Sequence, residues 1–362
     1  MSIFPMMNDL GHEQVVFCHN RAVGLRAIIA IHDTTLGPSL GGCRFYPYKS
    51  DEEALIDVLR LSRAMTHKAA LAGLDLGGGK AVILGDPRKK SEGLFRALGR
   101  QIEALGGRYI AAEDMNTTEK DMDIIRKETQ HVTGLSPHLG GLGVPGPTTA
   151  WGVFHGIRAC LDVRFGSSDP VGCTVAIQGV GSVGHHLAIN LHNAGANLVI
   201  CDPNPDQIKE TLAVVPARVV DSSEILSTKC DVLAPCAIGG ILNEDTIPNI
   251  QAQIIAGGAN NQLAVEPRDS WALRERDILF APDYVVNSGG IILVQCERFG
   301  LTVERAMDQA AGVYDTTKRV LNRAMNEKIT TIQASNELAQ RRVEKVSAIK
   351  RLRLFTPKSS EL

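Results

Sequence analysis

The sequence has few aromatic residues, no long apolar run and no excess of one charge. Aromatic residues make up 4% of the 362 positions, and the formal net charge is -2 with a pI near 6.6. This balance lacks the basic surface typical of proteins that bind nucleic acid or anionic membranes. No stretch approaches the run of about 18 apolar residues that spans a bilayer, and residues 1–23 lack the pattern of a signal peptide. We therefore expect a cytoplasmic protein that binds neither nucleic acid nor membrane.

Cysteine and histidine are present, but not in metal-binding patterns. The eight cysteines are scattered, mostly within apolar runs, and no C-x-x-C pair occurs, so we expect reduced, buried thiols. Among the ten histidines only His185 and His186 are adjacent. On a helix their side chains would point about 100° apart. The sequence therefore predicts no metal site.

The length of the chain and one unusual segment predict two domains. A chain of 362 residues exceeds the usual size of a single hydrophobic core. Residues 138–147 are rich in glycine and proline and almost free of charge, which is typical of a linker or hinge. We expect a first domain over residues 1–140, rejoined by a C-terminal helix over about residues 330–362. The second domain is expected over residues 148–328.

Both domains are predicted to be of the α/β class. In the first, strand-like runs alternate with amphipathic segments, and Ser50 with Glu53 resembles a capping box before one helix. The glycine-bearing segment 36–44 is expected to be a loop. In the second, apolar runs alternate with helical patterns, which favours a doubly wound parallel sheet. The predicted strands cover residues 14–18, 25–32, 81–84, 109–112, 173–178, 198–202, 231–234, 253–256 and 278–280.

Two lysines twelve positions apart, Lys68 and Lys80, frame an unusual stretch in which three glycines precede the second lysine. Glycines let the backbone approach another group closely, and we expect that group to be a ligand. Two ammonium groups in a partly dry cleft lower each other's pKa, because burial and a like charge both disfavour the charged form. One of them can then act as a base near neutral pH. Because most lysines are solvated and most glycine runs are loops, the stretch alone favours a structural role.

A glycine-rich fingerprint, GVGSVG at residues 179–184, follows a predicted strand and opens a predicted helix. Asp202 ends the next strand, 18 residues beyond Gly184. In this context Gly179 forms the tight turn, Gly181 admits a pyrophosphate to the helix N-terminus, and Gly184 allows close packing of the helix. Asp202 accepts hydrogen bonds from the adenosine ribose. A carboxylate there repels a 2′-phosphate and no arginine is nearby in sequence, so NAD is favoured over NADP.

Polar residues follow three other predicted strands. Asp114 follows strand 109–112, Asn260 and Asn261 follow strand 253–256, and residues 282–290 follow strand 278–280. Ligands bind at the carboxyl edge of parallel sheets. For Asp114 a helix cap and an acid in a cleft both stay open, and for the two asparagines the alternative is a polar turn.

Taken together, the motifs resemble the Glu/Leu/Phe/Val amino-acid dehydrogenase superfamily over nearly the whole chain. They are LGGCR at residues 40–44, the stretch 65–80 with its two lysines, Glu113 with Asp114, the fingerprint at 179–184, GANNQ at 258–262 and NSGG at 287–290. Residues 32–38 and 281–284 resemble the branch acting on apolar amino acids, above all leucine dehydrogenases. The resemblance implies an N-terminal α/β domain for substrate binding and oligomerisation, a Rossmann-type NAD-binding domain, and a cleft between them.

The same resemblance implies a reaction and roles for the charged residues. An L-amino acid, water and NAD⁺ would give a 2-oxo acid, ammonium and NADH, reversibly. Lys68, with backbone groups near Gly41 and Gly42, would bind the substrate carboxylate. Lys80, its pKa lowered by the second cation and by burial, would polarise the developing carbonyl and activate water. Asp114 would carry protons to and from the amine.

Further residues are implied for the substrate pocket and the cofactor. Asn260 and Asn261 would position the nicotinamide and the substrate amine, and Thr149 would orient the nicotinamide amide. An apolar pocket for a branched aliphatic side chain would be lined by Leu40, Ala112, Ile291 and Val294. The remaining cofactor contacts would come from Ser182, Val183, Cys236 and Ala237. Glutamate is disfavoured, because glutamate dehydrogenases carry a lysine where Leu40 stands.

Three departures from the leucine dehydrogenase pattern leave the preferred amino acid open. Gly146 replaces the usual serine, Leu293 the usual asparagine and His67 the usual tyrosine. One alternative is an aromatic amino-acid dehydrogenase, specific for phenylalanine or tryptophan, with the same mechanism. Another is a non-catalytic NAD-binding protein. The resemblance also implies a homo-oligomer, commonly a dimer or an octamer.

Overall fold

The computed structural model describes residues 3–350 and contains two β-sheets. Five strands between residues 14 and 113 form one sheet, and six strands between residues 174 and 280 form the other. The two-part α/β architecture predicted from the sequence is thus confirmed. Residues 351–362 of the expected C-terminal segment lie outside the described residues. Among the helices of the described residues, none is long and apolar enough to cross a membrane.

The first sheet is mixed and follows the strand order β1-β2-β4-β3-β5. Its strands are β1 (Gln14–Asn20), β2 (Leu25–Asp33), β3 (Ser39–Tyr46), β4 (Gly77–Leu84) and β5 (Tyr109–Glu113). Strand β2 pairs antiparallel with both β1 and β4, whereas β3 lies parallel between β4 and β5. Because β3, β4 and β5 run in the same direction, their carboxyl ends meet at one edge.

Two expectations about this sheet are wrong. The segment expected to be a loop contains strand β3, and β4 begins at Gly77, so the three glycines lie inside a strand. A Cβ atom added at Gly78 would lie 2.3 Å from the Thr66 nitrogen, and one added at Gly41 would lie 1.7 Å from the Gly79 oxygen. These glycines therefore admit a packed helix and a neighbouring strand rather than a ligand.

Four helices accompany the first sheet: α1 (Ile3–Leu10), α2 (Asp51–Leu71), α3 (Glu92–Glu103) and α4 (Glu119–Arg126). At the start of α2, the Glu53 N–H donates to Ser50 Oγ at 3.1 Å. The Glu53 carboxylate accepts from the Lys49 N–H rather than the Ser50 N–H, so only half of the expected capping box forms. Helix α2 carries Lys68 in its last turn.

The second sheet is parallel and follows the order β11-β10-β9-β6-β7-β8. Its strands are β6 (Thr174–Gln178), β7 (Asn197–Cys201), β8 (Arg218–Val219), β9 (Val232–Pro235), β10 (Ile254–Ile255) and β11 (Leu279–Phe280). The order reverses between β6 and β9, which is the doubly wound topology of Rossmann-type domains. Such sheets bind ligands at the carboxyl ends of the strands beside this reversal.

Nine further helices complete the described chain. They are α5 (Gly146–Phe165), α6 (Ser182–Asn193), α7 (Pro205–Leu212), α8 (Arg268–Glu275), α9 (Asp283–Val286), α10 (Gly289–Arg298), α11 (Val303–Ala311), α12 (Val313–Glu327) and α13 (Thr331–Lys350). Helix α13 returns to α2, where Arg342 Nη1 donates to the carbonyl groups of Ala70 and Leu74 at 3.0 and 2.8 Å. The C-terminal helix thus contacts the first part of the chain.

The cysteines are as expected. All eight are free thiols, six of them buried and two, Cys173 and Cys236, half-buried. Burial raises the pKa of several of these thiols, including Cys236, to about 12. Between residues 3 and 350, the structure contains no group of three or more histidine, cysteine or acidic side chains that could hold a metal ion.

Candidate active site

Lys80 and Asp114 meet on one face of the first sheet, near the carboxyl end of β5. Lys80, on β4, is only 5% exposed, and its Nζ lies 3.0 Å from Oδ1 of Asp114, which directly follows β5. The parallel packing of β4, β3 and β5 brings these residues together although they are distant in sequence. Of the two roles that the sequence leaves open for Asp114, the acid in a cleft matches this geometry.

A second cation holds the other oxygen of Asp114. Arg44 Nε donates to Asp114 Oδ2 at 2.9 Å, and Arg44 Nη1 donates to Asp57 Oδ2 at 3.0 Å. Tyr48 donates its hydroxyl proton to the same Asp57 oxygen at 2.5 Å. Burial raises the pKa of Asp114, but the charges of Lys80 and Arg44 outweigh it, so the net effect lowers that pKa. Asp114 is therefore an ionised acceptor held in a fixed orientation.

Lys68 approaches the same region from the last turn of α2. Its Nζ donates to Asn287 Oδ1 at 2.7 Å. The pKa of Lys68 is lowered to about 8, chiefly by burial; the charge of Asp283 opposes this shift and that of Lys80 adds to it. The resemblance assigns a lowered ammonium pKa to Lys80, whereas the lysine whose pKa burial lowers in the structure is Lys68.

An apolar surface lies on the same face of the sheet as Lys80. Leu40 pairs in register with Gly78, and Gly42 pairs with Ala112. Since alternate residues of a strand share a face, Leu40, Gly42, Ala112 and Lys80 all lie on one side. Leu40 is 2% exposed and Ala112 is 7% exposed.

Helix α10 covers part of this surface. Ile291 and Leu293 belong to the same buried apolar cluster as Leu40, and Val294 packs against it. Three of the four residues expected to line the substrate pocket are thus brought together. The fourth, Ala112, lies on the same face of the sheet, outside that cluster.

Behind this face, the backbone of β3 is supported by a buried tyrosine. Tyr109 donates its hydroxyl proton to the Gly41 carbonyl at 2.7 Å. A Cβ atom at Gly42 would lie 2.6 Å from Asp114 Cβ. Gly41 and Gly42 therefore lie beside the charged cluster, as expected, and Gly42 allows Asp114 to pack directly against the strand.

A network of polar side chains connects Lys68 to the second sheet. Asn287 Nδ2 donates to Asn260 Oδ1 at 2.7 Å and to the Gly258 carbonyl at 3.2 Å. Asp283 accepts the N–H of Asn261 at 2.6 Å. This N–H group is held in place although Asn261 has a φ of 54°, a left-handed conformation that asparagine tolerates. Asn260 is therefore connected through Asn287 to Lys68, the lysine that we expect to bind the carboxylate, and Asn261 contacts Asp283, whose charge acts on the same lysine.

The glycine fingerprint has the shape of a nucleotide-binding turn. Gly179 has a φ of 86°, and a Cβ atom there would lie 2.6 Å from Ala237 Cβ. A Cβ atom at Gly184 would lie 1.9 Å from the Gly179 carbonyl oxygen, so helix and strand pack closely. Space is open around Gly181, at the N-terminus of α6. A phosphate group fits such a position, because free N–H groups and the helix dipole both favour an anion.

The N-termini of α5 and α6 lie side by side. A Cβ atom at Gly146 would lie 1.9 Å from Ser182 Oγ, so a residue with a side chain at position 146 does not fit this side-chain arrangement. Thr149, 9% exposed, contacts Gly290, where an added Cβ would lie 3.2 Å from Thr149 Oγ1. Thr149 thus lies between the fingerprint and the helix that covers the apolar surface.

The loop after β10 closes against the same edge. A Cβ atom at Gly258 would lie 2.6 Å from Val183 Cγ1, and the Gly258 N–H donates to Cys236 Sγ at 3.4 Å. Gly258 thus brings Cys236 close to Val183 of the fingerprint, and their contact with a cofactor stays a prediction.

Asp202 lies at the opposite end of the fingerprint. Its carboxylate accepts the N–H of Val180 at 2.9 Å and the N–H of Asn204 at 2.8 Å. It lines a depression of about 650 Å³ that also contains Arg218, Asp221 and Glu224. Arg218, distant in sequence, is thus close to Asp202 in space. The sequence prediction that no arginine lies near Asp202 therefore holds along the chain but not in space.

Three residues of the site received no role from the sequence. Arg44 orients Asp114, Asn287 joins Lys68 to Asn260, and Asp283 holds Asn261. All three lie within motifs that carry the resemblance, and Asp283 and Asn287 follow the end of β11. For Asp283 and Asn287 the position after a predicted strand was a signal that sequence reasoning could use, whereas Arg44 lies inside β3, which was expected to be a loop.

Comparison with known proteins explains this combination of sites. Residues 12–131 match the model of the Glu/Leu/Phe/Val dehydrogenase dimerisation domain, and residues 202–351 match the model of the glutamate/leucine/phenylalanine/valine dehydrogenase domain. The chain belongs to the Glu/Leu/Phe/Val dehydrogenase family. As a member of that family it is an amino-acid dehydrogenase with a nucleotide-binding domain, and the resemblance seen in its sequence is confirmed.

Similar proteins in the family are named for different amino-acid substrates. Leucine dehydrogenase of Geobacillus stearothermophilus is 50% identical over 95% of this chain and 94% of its own. L-tryptophan dehydrogenase of Nostoc punctiforme is 46% identical over 95% of this chain and 96% of its own. Valine dehydrogenase of Streptomyces virginiae is 46% identical over 92% of this chain and 94% of its own.

Solved structures share the fold. The crystal structure of L-tryptophan dehydrogenase from Nostoc punctiforme superimposes with a TM-score of 0.85 at 43% identity, covering 95% of this chain and 99% of that one. A hetero-hexameric glutamate dehydrogenase from Thermus thermophilus has a TM-score of 0.77 at 23% identity, covering 96% of this chain and 91% of that one, and shows the fold alone.

Proposed function

We propose that this dehydrogenase catalyses the reversible NAD-dependent oxidative deamination of an apolar L-amino acid, with leucine preferred and valine and isoleucine also accepted. The amino acid, NAD⁺ and water give the 2-oxo acid, ammonium, NADH and a proton. The observation that carries the proposal is the ion pair between Lys80 and Asp114, 3.0 Å apart, beside the apolar face that contains Leu40.

The apolar face supports a substrate with a hydrocarbon side chain. Leu40, Ile291 and Val294 belong to one cluster, and a side-chain carboxylate placed there would lose its hydration without gaining a cation. Burying an unpaired charge costs several kcal/mol. Leucine, valine and isoleucine differ by about one methylene, worth roughly 1 to 3 kcal/mol, so we expect overlapping activity. Leucine is favoured because several of the similar proteins are leucine dehydrogenases.

Each charged residue then has a task in the reaction. Lys68, held by Asn287, binds the substrate carboxylate. Lys80 polarises the developing carbonyl oxygen. Its ammonium group first gives a proton to the Asp114 carboxylate, the neutral amine then takes a proton from the attacking water, and Asp114 passes its proton to the substrate nitrogen. The 3.0 Å contact gives a direct path for a proton between Lys80 and Asp114. The nicotinamide, when bound, supplies the hydride acceptor; the chain supplies placement and excludes water.

For the cofactor we propose NAD rather than NADP. The open space at Gly181 and the close packing at Gly179 and Gly184 suit a pyrophosphate. Around Asp202, the acidic Asp221 and Glu224 outnumber Arg218. A 2′-phosphate would therefore meet net negative charge, whereas ribose hydroxyl groups can donate to the Asp202 carboxylate.

The domain arrangement and assembly are part of the proposal. We place the substrate domain at residues 1–140 with the C-terminal segment from about residue 330, and the nucleotide domain at residues 148–328. Closure would occur about the intervening hinge and exclude water from the cleft. The dimerisation domain of the family supports a homo-oligomer, a dimer or an octamer. The free thiols suit a reducing compartment, and we propose the cytoplasm.

Aromatic amino acids are the alternative substrates. The tryptophan dehydrogenase of Nostoc punctiforme covers nearly the whole chain at 46% identity. Leu293 and Ile291 border the pocket in this proposal, and a larger pocket would change the substrate while leaving Lys80 and Asp114 in their roles.

The test is NADH formation, followed by absorbance at alkaline pH, across leucine, valine, isoleucine, phenylalanine and tryptophan with NAD⁺ and then NADP⁺. We expect the highest kcat/KM for leucine with NAD⁺. Lys80→Ala should abolish turnover while NADH still binds, and Lys89→Ala, at an exposed lysine, should change neither. Absence of amino-acid-dependent NADH formation by the unaltered protein would overturn the proposal.

A further inference from the structure

Glu297, in the last turn of α10, gathers four hydrogen-bond donors from a distant segment. Its Oε1 accepts the N–H of Gly134 at 2.8 Å and of Leu135 at 3.2 Å, and it lies 2.9 Å from Thr133 Oγ1. Its Oε2 accepts the N–H of Leu142 at 3.3 Å. A carboxylate that fills both oxygens with donors from one segment is a fixed anchor, because hydrogen bonds to a charged acceptor are stronger than neutral ones.

The anchored segment is joined to β5. The Ala111 N–H donates to the His131 carbonyl at 3.0 Å, and the Thr133 N–H donates to the Ala111 carbonyl at 2.9 Å. Val132 forms a parallel bridge with Ala111. A continuous chain of hydrogen bonds therefore runs from Glu297, through Thr133, to the strand that ends beside Asp114.

The two joined elements form opposite sides of the proposed pocket. Helix α10 carries Ile291 and Val294, and β5 carries Ala112. Thr133 Oγ1 also lies 3.1 Å from the Val294 carbonyl oxygen. Thr133 therefore contacts the turn of α10 that lines the proposed pocket. The distance between α10 and β5 is thus fixed by polar contacts outside the pocket.

We propose that Glu297 is a positioning residue that sets the width of the side-chain pocket and thereby selects among apolar amino acids. The inference rests on the proposed function, since it concerns the pocket of that reaction. Without the carboxylate, α10 is released from residues 133–142 and moves away from β5. The pocket then widens, and larger side chains gain relative to leucine. Glu297 does not touch the reacting atoms, so the chemistry itself is retained.

Four variants test this role. Glu297→Ala removes every contact. Glu297→Gln keeps one carbonyl oxygen to accept from Gly134 and Leu135 but loses the second acceptor oxygen, which Leu142 uses. Thr133→Val removes the hydroxyl that bridges Glu297 and Val294 at nearly constant volume. Arg298→Ala is the matched control, because it changes the next residue of α10, whose side chain is exposed. For each, kcat and KM are measured for valine, leucine and phenylalanine, with KM for NAD⁺.

We expect Glu297→Ala to raise the ratio of kcat/KM for phenylalanine to that for leucine at least tenfold, mainly through KM. Thr133→Val should move it in the same direction by a smaller factor, Glu297→Gln should lie between Glu297→Ala and the unaltered enzyme, and Arg298→Ala should leave the ratio unchanged. A uniform fall for all three substrates, or an unchanged ratio, would show a purely structural role and overturn the inference. If Glu297→Ala does not fold, Thr133→Val decides.

Experiment can separate the proposed function from the role of Glu297. An unaltered protein that forms no NADH with any amino acid defeats the proposed function, and the inference with it. An active enzyme whose variants keep the same substrate ratio defeats only the role of Glu297.

Discussion

Lys80 and Asp114 form an ion pair in which Nζ lies 3.0 Å from Oδ1, and Arg44 occupies the other carboxylate oxygen at 2.9 Å. Burial raises the pKa of Asp114, yet the charges of the two cations outweigh that effect and lower it. The carboxylate is therefore ionised at neutral pH, which is the form that the proposed proton exchange with Lys80 and the substrate amine requires.

Removing Arg44 tests how far this arrangement controls protonation. Arg44→Ala takes away one of the two charges that favour the ionised carboxylate, so the pKa of Asp114 rises. A carboxylate beside an arginine is typically shifted by about 1 to 3 pKa units. We expect the acid limb of the kcat/KM profile to move to higher pH by roughly 1 unit, with activity at its alkaline plateau less affected.

Two control variants accompany that measurement: one keeps a positive charge at position 44, and the other removes an arginine far from Asp114. Arg44→Lys retains a cation and should shift the acid limb less than Arg44→Ala. Arg26→Ala removes an arginine whose ion pair with Asp51 is exposed, and it should leave the profile unchanged. An acid limb that does not move in Arg44→Ala contradicts the role assigned to the Arg44 charge.

Lys68→Met tests the assigned carboxylate contact. Methionine keeps most of the side-chain volume but removes the ammonium group that Asn287 orients. Losing a charged hydrogen bond to the substrate should lower kcat/KM for the amino acid roughly 100-fold, about 2.7 kcal/mol. The loss should appear mainly in the KM of the amino acid, with the KM of NAD⁺ nearly unchanged. Equal losses in both KM values would indicate a general disturbance of the cleft.

The strands that were predicted correctly have strong local signals. Residues 173–178 contain the apolar run Val175–Ile177 just before a glycine turn, as buried parallel strands do, and β6 occupies Thr174–Gln178. Strand β3 was missed because Gly41 and Gly42 have the composition of a loop. The reason for those glycines is tertiary: a Cβ at Gly41 would lie 1.7 Å from the Gly79 oxygen. Local sequence carries no sign of that neighbour.

In the candidate site, too, residues with a local sequence signal were predicted, and residues defined by distant partners were not. The lysines, Asp114 and the fingerprint were found because their residue types and spacing have a chemical meaning. The roles of Arg44 and Asn287 were not found, because their partners are 70 and 219 positions away. Arg218 belongs to a strand of two exposed residues, too short to give a periodic pattern. Its closeness to Asp202 follows only from the pairing of β7 with β8.

Two buried histidines make stability depend on pH. His12 and His32 are in edge contact, with ring centroids 4.9 Å apart. Burial, the main cause, lowers the pKa of His12 to about 4 and that of His32 to about 3, from 6.5. Between pH 6.5 and about 3 the unfolded chain binds more protons than the folded one, so stability is lost as pH falls. We expect the Tm to drop steeply across this window.

The test compares Tm near pH 7 and near pH 5. His32→Asn keeps a hydrogen-bonding side chain but removes one titrating group, so the drop in Tm between the two pH values should shrink. His19→Asn changes an exposed histidine and should leave the drop as it is. A drop of the same size in His32→Asn would assign the acid sensitivity to other groups.

Leu40→Lys tests the apolar pocket. The new ammonium group would be buried where Leu40 is 2% exposed, and an unpaired buried charge disfavours a hydrocarbon side chain beside it. We expect kcat/KM for leucine to fall more than 100-fold, the ratio of glutamate to leucine activity to rise, and the Tm to decrease. Leu40→Met, which conserves volume and polarity, should keep leucine activity within about fivefold. Unchanged leucine activity in Leu40→Lys would remove Leu40 from the pocket.

Cofactor choice should depend on Asp202 and Arg218 together. Asp202→Ser removes the carboxylate that repels a 2′-phosphate and leaves Arg218 in the same depression to attract it. We expect the ratio of kcat/KM for NADP⁺ to that for NAD⁺ to rise at least tenfold, about 1.4 kcal/mol. Adding Arg218→Ala to Asp202→Ser should reverse much of that gain, whereas Arg218→Ala alone should leave the use of NAD⁺ nearly unchanged. If the double variant uses NADP⁺ as well as Asp202→Ser does, Arg218 does not reach the ribose end of the cofactor, and charge repulsion by Asp202 accounts for the preference without it.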